Sequence, residues 1–244
     1  MKEKISISLD SGTIASLDQS IDNKLIRNRS QAVEFVLAQY FDSKAPLKAV
    51  LLGGKLEESA KLLNLNKILD ELAQAGVTEL IVAGGKATER IFSEIQKHPF
   101  YSKKCMYLRE DAPLGTAGAV KLAANYLQHA FIVTYLDVEF SMDLAKMVAF
   151  HKKSRGPATM AVTYVEGNNL TDYIRISGEN ISEFEYKSGR TTKLQNAAVY
   201  VFEPSILEEL PSKGGLEKEL FPQLAKEGKL RGFMFDTKWK HLEK

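Results

Sequence analysis

Gly115, Thr116, Ala117 and Gly118 put two glycines and two small residues in a row, directly after Pro113 and Leu114. Small residues let a backbone come close to a ligand. The exposed N–H groups of a helix start favour an anion or a polar base edge. Gly53 and Gly54 form a second such point, and Asp137 a third, each following an apolar run. A carboxylate at a strand end is a natural ligand for Mg²⁺, which takes oxygens and bridges phosphates. The same aspartate would equally serve as a helix cap or loop residue, and a short Gly-x-x-Gly turn by itself often only connects elements. His98, His129, His151 and His241 are scattered and show no metal-ligand spacing.

The elements that must position these residues read as alternating strands and helices. Strands are expected over 47–52, 79–83, 104–109 and 131–136, with helices over 65–75, 88–97 and 116–128 between them. That alternation predicts a parallel sheet with helices on both faces. Ligands of such open sheets bind at the carboxyl ends of the strands. Gly53, the Gly115–Thr116 turn and Asp137 all fall at such ends, so three points converge on one edge. Beyond Ala158 the pattern turns to strands over 159–165, 172–177, 181–186 and 194–202, and Pro204 opens a short helix.

The first forty residues differ. Lys4 to Leu9 alternates polar and apolar residues as a half-buried strand does. Asp10 and Ser11 cap a helix carrying Ile14, Leu17 and Ile21 on one face. Asn28 with Gln31 reads as a capping box opening a second helix, whose buried face is Val33, Val36, Leu37 and Tyr40. Such a unit has almost no core of its own. A second copy, with the two strands pairing antiparallel, is the economical remedy. Lys4, Ser6 and Ser8 would then point out from a two-stranded ribbon of the size that enters a DNA major groove. The amides of Arg29 and Ser30 would hold a phosphate. The stretch from Lys4 to Phe41 resembles the ribbon–helix–helix family of DNA-binding regulators. The resemblance implies Lys4, Ser6 and Ser8 as base readers, Arg29 and Ser30 as phosphate contacts, and double-stranded DNA as a partner of a homodimer or tetramer. Up to Ala45 six cations face six carboxylates, so the phosphate contribution to affinity is small. Residues 42–46 are a polar break, dividing the chain into a 1–44 module and a 45–244 domain.

From Leu47 to Trp239 the chain looks like the sugar-1-phosphate nucleotidyltransferases. The agreeing segments are Leu51 to Gly54, Pro113 to Ala119, Asp137 after its apolar strand, Asn196 to Pro204, and Leu216 to Pro222. Phe235, Asp236 and Trp239 echo the family's closing motif. The resemblance implies a Rossmann-like, mostly parallel sheet flanked by helices. It also implies a reaction in which a sugar phosphate attacks a nucleoside triphosphate and pyrophosphate leaves. Gly53, Gly54, Gly115 and Thr116 would face the nucleotide, Asp137 a Mg²⁺ ion, and Asn196 the sugar.

Departures stand beside these matches. Where the family continues its double glycine with Gly-Thr-Arg and a loop lysine, this chain has Lys55, Leu56, Glu57 and Glu58. Ile174 stands at a glycine of the sugar side, and Tyr186-Lys187-Ser188 replaces Glu-Lys-Pro. His241 stands where the closing motif has a metal-binding aspartate. Nucleotidyl transfer depends on positioned positive charge and metal, so these losses predict an impaired catalyst. The leading expectation is therefore a DNA-binding transcriptional regulator whose nucleotidyltransferase-like domain senses a nucleotide or sugar nucleotide, or only oligomerises. The alternative is a divergent sugar-1-phosphate nucleotidyltransferase dimerised by its N-terminal module.

Composition narrows the setting. Of 244 residues, 44% are hydrophobic and 26% charged, and the net charge is +2, so bulk charge points to neither nucleic acid nor membrane. The single cysteine, Cys105, excludes an intrachain disulfide and suits a reducing cytoplasm. No run approaches the length of a membrane span, and the alternation of the first ten residues is not that of a signal peptide.

Overall fold

The computed structural model describes residues 5–22, 26–53, 65–165, 172–190, 192–236 and 239–241. The chain divides into two compact units, Met1–Ala45 and Pro46–Lys244.

The first unit holds α1 (Ser11–Gln19) and α2 (Arg29–Lys44). Asp10 caps α1, its carboxylate accepting from Thr13 N at 2.9 Å. At α2, Asn28 accepts from Gln31 N at 3.0 Å while the Gln31 side chain accepts from Arg27 N at 2.7 Å, a variant of the capping box in which Gln31 reaches the residue before the N-cap. Among the described residues of this unit, the buried hydrophobics are Leu17, Ile26 and Ala32. Residues 5–10 make no strand in the single chain, because a lone extended segment has no ladder to join. Their alternation instead leaves Ile5, Ile7 and Leu9 exposed at 70%, 52% and 40%.

The second unit is built on a nine-stranded sheet. Its strands are β1 (Leu47–Leu52), β2 (Val77–Gly84), β3 (Cys105–Arg109), β4 (Phe131–Tyr135), β6 (Ala158–Tyr164), β7 (Tyr173–Ser177), β8 (Asn180–Glu185), β9 (Leu194–Phe202) and β10 (Leu230–Phe235), ordered β3-β2-β1-β4-β9-β6-β10-β8-β7. The short β5 (Val138–Phe140) pairs with β11 (Trp239–His241) in a separate ribbon. Strands β1 to β4 are mutually parallel, each followed by a crossover, and β1, β2 and β4 are largely buried while β3 lies at the sheet edge. β9 runs antiparallel to both β4 and β6, while β10 is parallel to β6. The carboxyl ends of β1 to β4 and the amino end of β9 therefore share one edge.

Helices α3 (Leu65–Gln74), α4 (Lys86–Ile95), α5 (Gly115–Leu122), α6 (Leu144–Ser154), α7 (Ile206–Glu209) and α8 (Phe221–Lys226) complete the unit. A π-helical turn, Leu216–Leu220, leads directly into α8. α5 is shorter than the apolar pattern predicts: it ends at Leu122 and passes into a 3₁₀ turn at Ala124–Tyr126. α6, β5 and β10 have no counterpart among the expected elements. The core centres on Phe131, Tyr200, Phe202 and Phe221, all fully buried. Phe131 meets Phe202 edge-on at 5.9 Å, and the Tyr200 ring lies 4.8 Å from that of Phe221.

Candidate functional site

The glycines at the strand ends have neighbours that explain them. A Cβ on Gly53 or on Gly84 would come closer than 3.0 Å to the Thr88 hydroxyl. Thr88, buried in the first turn of α4, thus fills the room over both glycines. Gly53 N also donates to Ala83 O at 3.0 Å, tying the two strand ends together. Gly54 and the segment with Lys55, Glu57 and Glu58 lie outside the described residues.

The turn into α5 is likewise closed by protein. Gly115 has φ +76°, and a Cβ there would overlap Gly214 O; one on Gly118 would lie 2.6 Å from Ser212 O. The segment 211–216 crosses the start of α5 as a strap. Gly214 N donates to Leu114 O at 2.8 Å, Ala117 N to Gly214 O at 3.0 Å, and Leu216 N to the Thr116 hydroxyl at 2.7 Å. The strap leads into the π-helical turn, a rare geometry that recurs at functional sites.

Glu217, in that turn, gathers the site. Thr116 Oγ1 donates to Glu217 Oε2 at 3.1 Å. Tyr135 Oη, at the end of β4, donates to Oε1 at 2.5 Å, and Tyr200 Oη, on β9, at 3.4 Å. Asn196 Nδ2 donates to Tyr200 Oη at 3.0 Å, and Asn196 Oδ1 accepts from Ala198 N at 3.0 Å. One network therefore joins Thr116 to Asn196, two residues expected on opposite sides of a ligand. Burial, ahead of the nearby carboxylate, holds both tyrosine hydroxyls well above the usual tyrosine range, so both remain donors. Ala198 has φ +58°, a left-handed conformation that costs an L-residue energy. It accompanies a register shift in the β6–β9 ladder that turns Asn196 inward.

Asp137 lies in the tight turn between β4 and β5. Its Oδ1 is buried without a hydrogen-bond partner, an arrangement that calls for a proton or a cation. In β11, His241 stands in register with Val138, next to Asp137 in the chain. Asp143, farther along the chain, caps α6 by accepting from Lys146 N at 2.9 Å. Among the described residues no three metal-binding side chains cluster. A single unpartnered carboxylate fits Mg²⁺ in the form where nucleotide phosphates and waters complete the oxygen shell.

Sequence reasoning named Thr116, Asn196 and Asp137 but passed over Glu217, Tyr135, Tyr200 and Thr88. Glu217 stood inside a segment already singled out, Leu216 to Pro222, but with Lys218 and Glu219 beside it nothing in the sequence set it apart. In the first unit, Ser6, Ser8 and Ser30 are exposed and Lys4 lies outside the described residues. The Arg29 guanidinium is held by both oxygens of Asp18, at 2.7 and 2.8 Å, so the cation assigned to a phosphate is neutralised within the unit.

Residues 60–242 match the family model described as Nucleotidyl transferase. The chain is 30% identical over 193 residues to the mannose-1-phosphate guanylyltransferase catalytic subunit beta of Dictyostelium discoideum, covering 75% of this chain and 53% of that protein. It is 30% identical over 207 residues to a mannose-1-phosphate guanyltransferase of Schizosaccharomyces pombe, covering 80% and 56%. The chain thus spans about half the length of the curated relatives it matches. Among solved structures, HddC from Yersinia pseudotuberculosis superposes with a TM-score of 0.67 at 19% identity, over 80% of this chain and 93% of that one. A glucose-1-phosphate thymidylyltransferase described as putative, from Bacillus anthracis, gives 0.65 at 17%, over 81% and 89%. At such identities these two show the fold alone.

These relatives overturn the expectation of a DNA-binding transcriptional regulator with an impaired sensor domain, and with it the ribbon–helix–helix assignment. Charge supplies the physical reason: six cations face six carboxylates up to Ala45, and the Arg29 guanidinium is paired with Asp18, so little positive charge is left for a DNA backbone. The expectation that catalysis is lost also finds no support among relatives named for guanylyl transfer. No described helix is long and apolar enough to cross a membrane.

Proposed function

The chain belongs to the nucleotidyl transferase family, and from that membership we propose that residues 46–244 transfer a guanylyl group from GTP to a sugar 1-phosphate. A phosphate oxygen of the sugar 1-phosphate attacks the α-phosphorus of GTP. The new P–O bond forms as the bond to the β-phosphate bridging oxygen breaks, and pyrophosphate leaves with the electron pair. The observation that carries this reading is the network that brings Thr116 and Asn196 together at the carboxyl edge.

In this reading the start of α5 faces the nucleotide and Asn196 faces the sugar. Holding both in line supplies most of the acceleration available to such a reaction. Asp137 would hold Mg²⁺ with its unpartnered oxygen, and the ion, when bound, withdraws charge from the phosphates. Glu110 favours guanine as the base. It follows β3 on the same edge, with its N donating to Gly84 O at 2.9 Å and its Oε2 accepting from Leu114 N at 3.2 Å. A carboxylate is acceptor-only, and guanine offers two adjacent donors, N1–H and its amino group, where uracil and thymine offer a single N3–H between two carbonyl oxygens.

Pyrophosphate release from GTP, ATP, UTP and dTTP, each with a panel of sugar 1-phosphates and Mg²⁺, tests the proposal. Release with GTP and mannose 1-phosphate or a related sugar is the expected result; none with any pair would overturn it. For the first unit, the exposed Ile5, Ile7 and Leu9 support self-association through antiparallel pairing of residues 5–10 from two copies. Light scattering should give a dimer for the full chain and a monomer for Ile7→Lys. A monomeric wild-type chain would defeat this second reading.

A further inference from the structure

Hydrogen-bond direction along the Glu217 network is determined by chemistry. A carboxylate can only accept, so Tyr200 must give its single hydroxyl proton to Glu217. Tyr200 can then only accept from its other neighbour, and that neighbour is the Asn196 side chain. The end of Asn196 facing Tyr200 must therefore be the amide nitrogen. The far end agrees: Asn196 Oδ1 accepts from the backbone N–H of Ala198, which can only donate. Asn196 has two N–H groups; one is spent on Tyr200, and the second is left to be given away. Ala198 N–H holds one end of the amide and the chain of donors running to Glu217 holds the other; without that chain Tyr200 could donate, and the amide would be held at one end only.

From this we infer that Glu217 is a positioning residue: acting through Tyr200, it fixes Asn196 as a hydrogen-bond donor toward the sugar phosphate. The inference rests on the proposed reaction, with Asn196 on the sugar side. The same carboxylate also receives Thr116 Oγ1 and Tyr135 Oη. Removing Tyr200's hydroxyl alone leaves Glu217 with these two donors, which makes Tyr200→Phe the mild way to cut the chain. Tyr200 is fully buried among Phe202 and Phe221, and phenylalanine keeps that packing. Glu217→Gln is the complementary change: its amide can donate to Tyr200 and release the constraint from the other end.

The test is steady-state kinetics with GTP and the best sugar 1-phosphate of the panel. Tyr200→Phe and Glu217→Gln should each raise KM for the sugar phosphate about tenfold, the size of one lost directed hydrogen bond. For Tyr200→Phe, which leaves Thr116 and Tyr135 on Glu217, KM for GTP and kcat should stay within about twofold, since an interaction made equally in ground and transition states moves KM alone. In an Asn196→Ala background, Tyr200→Phe should have no further effect on KM, because its influence passes through Asn196. A purely structural role would lower thermal stability, or move both KM values together, and would persist in that background; any of these outcomes overturns the inference. Wild-type protein that releases no pyrophosphate overturns the proposed reaction and this inference with it. An active wild type whose Tyr200→Phe variant keeps its KM for the sugar phosphate overturns the inference alone.

Discussion

Gly115→Ala separates two uses of a glycine that a motif cannot distinguish. Gly115 has φ +76°, and its missing side chain makes room for Gly214 O in the strap. Gly76, at the end of α3, has φ +86° with nothing within 4 Å of a Cβ. Both substitutions carry the left-handed strain of an L-residue, about 1–2 kcal/mol. Only Gly115→Ala also drives the strap away, which loosens Gly214 N to Leu114 O and Ala117 N to Gly214 O. Each such bond contributes about 0.5–1.5 kcal/mol net. Gly76→Ala should therefore destabilise by about 1 kcal/mol and Gly115→Ala by about 2–5 kcal/mol. For a domain of this size that is a fall of roughly 2–4 °C against roughly 4–20 °C. Urea unfolding followed by circular dichroism, with thermal scans beside it, measures both. Equal losses for the two variants would refute the strap as a tight contact. A stable Gly115→Ala that loses only nucleotide affinity would show that the glycine serves the ligand.

Three further outcomes follow from the same geometry. Gly53→Ala would strike the Thr88 hydroxyl; adding Thr88→Ala should recover at least half of the lost stability, and strict additivity in the double-mutant cycle would contradict the contact. Ala198→Gly should hold stability level or raise it by up to about 1 kcal/mol, because glycine accepts the left-handed backbone that alanine holds at φ +58°; a loss above about 1 kcal/mol in urea would count against strain there. Burial pushes the Cys105 thiol up to about 12, so it stays protonated at pH 8. It should react with an aromatic disulfide reagent far more slowly in folded protein than in denatured protein, and equal rates would place it at the surface.

The alternating pattern carried the parallel half of the sheet, because β1 is apolar from Ala49 to Leu52 and β4 is broken only by Thr134. It did not show that β9 inserts antiparallel between β4 and β6, since periodicity records burial and not strand direction. Thr116 and Asp137 could be picked out as polar groups at strand or helix ends, whereas Asn196, inside β9, came only from the family resemblance. The partners that use them could not: Thr88 acts by filling space beside Gly53, and Glu217 acts through hydroxyls about eighty to one hundred residues away in the chain. The capping box of Asn28 and Gln31 was legible because capping is local. Residues 5–10 form no strand in one chain because the ladder partner expected for them belongs to a second copy.

The central place of β9 has a consequence in time. β4 pairs with β1 on one side and β9 on the other, and Phe131, Ile132 and Val133 are buried between them. During synthesis β4 emerges long before Phe202 is made. At about 5–20 residues per second the interval is roughly 3–13 seconds. For that interval β4 is the open margin of a half-built sheet, rich in β-branched and aromatic residues and without a charge to repel a second chain. The arrangement that brings Asn196 beside Thr116 thus makes the nascent chain dependent on whatever shields β4 until β9 arrives.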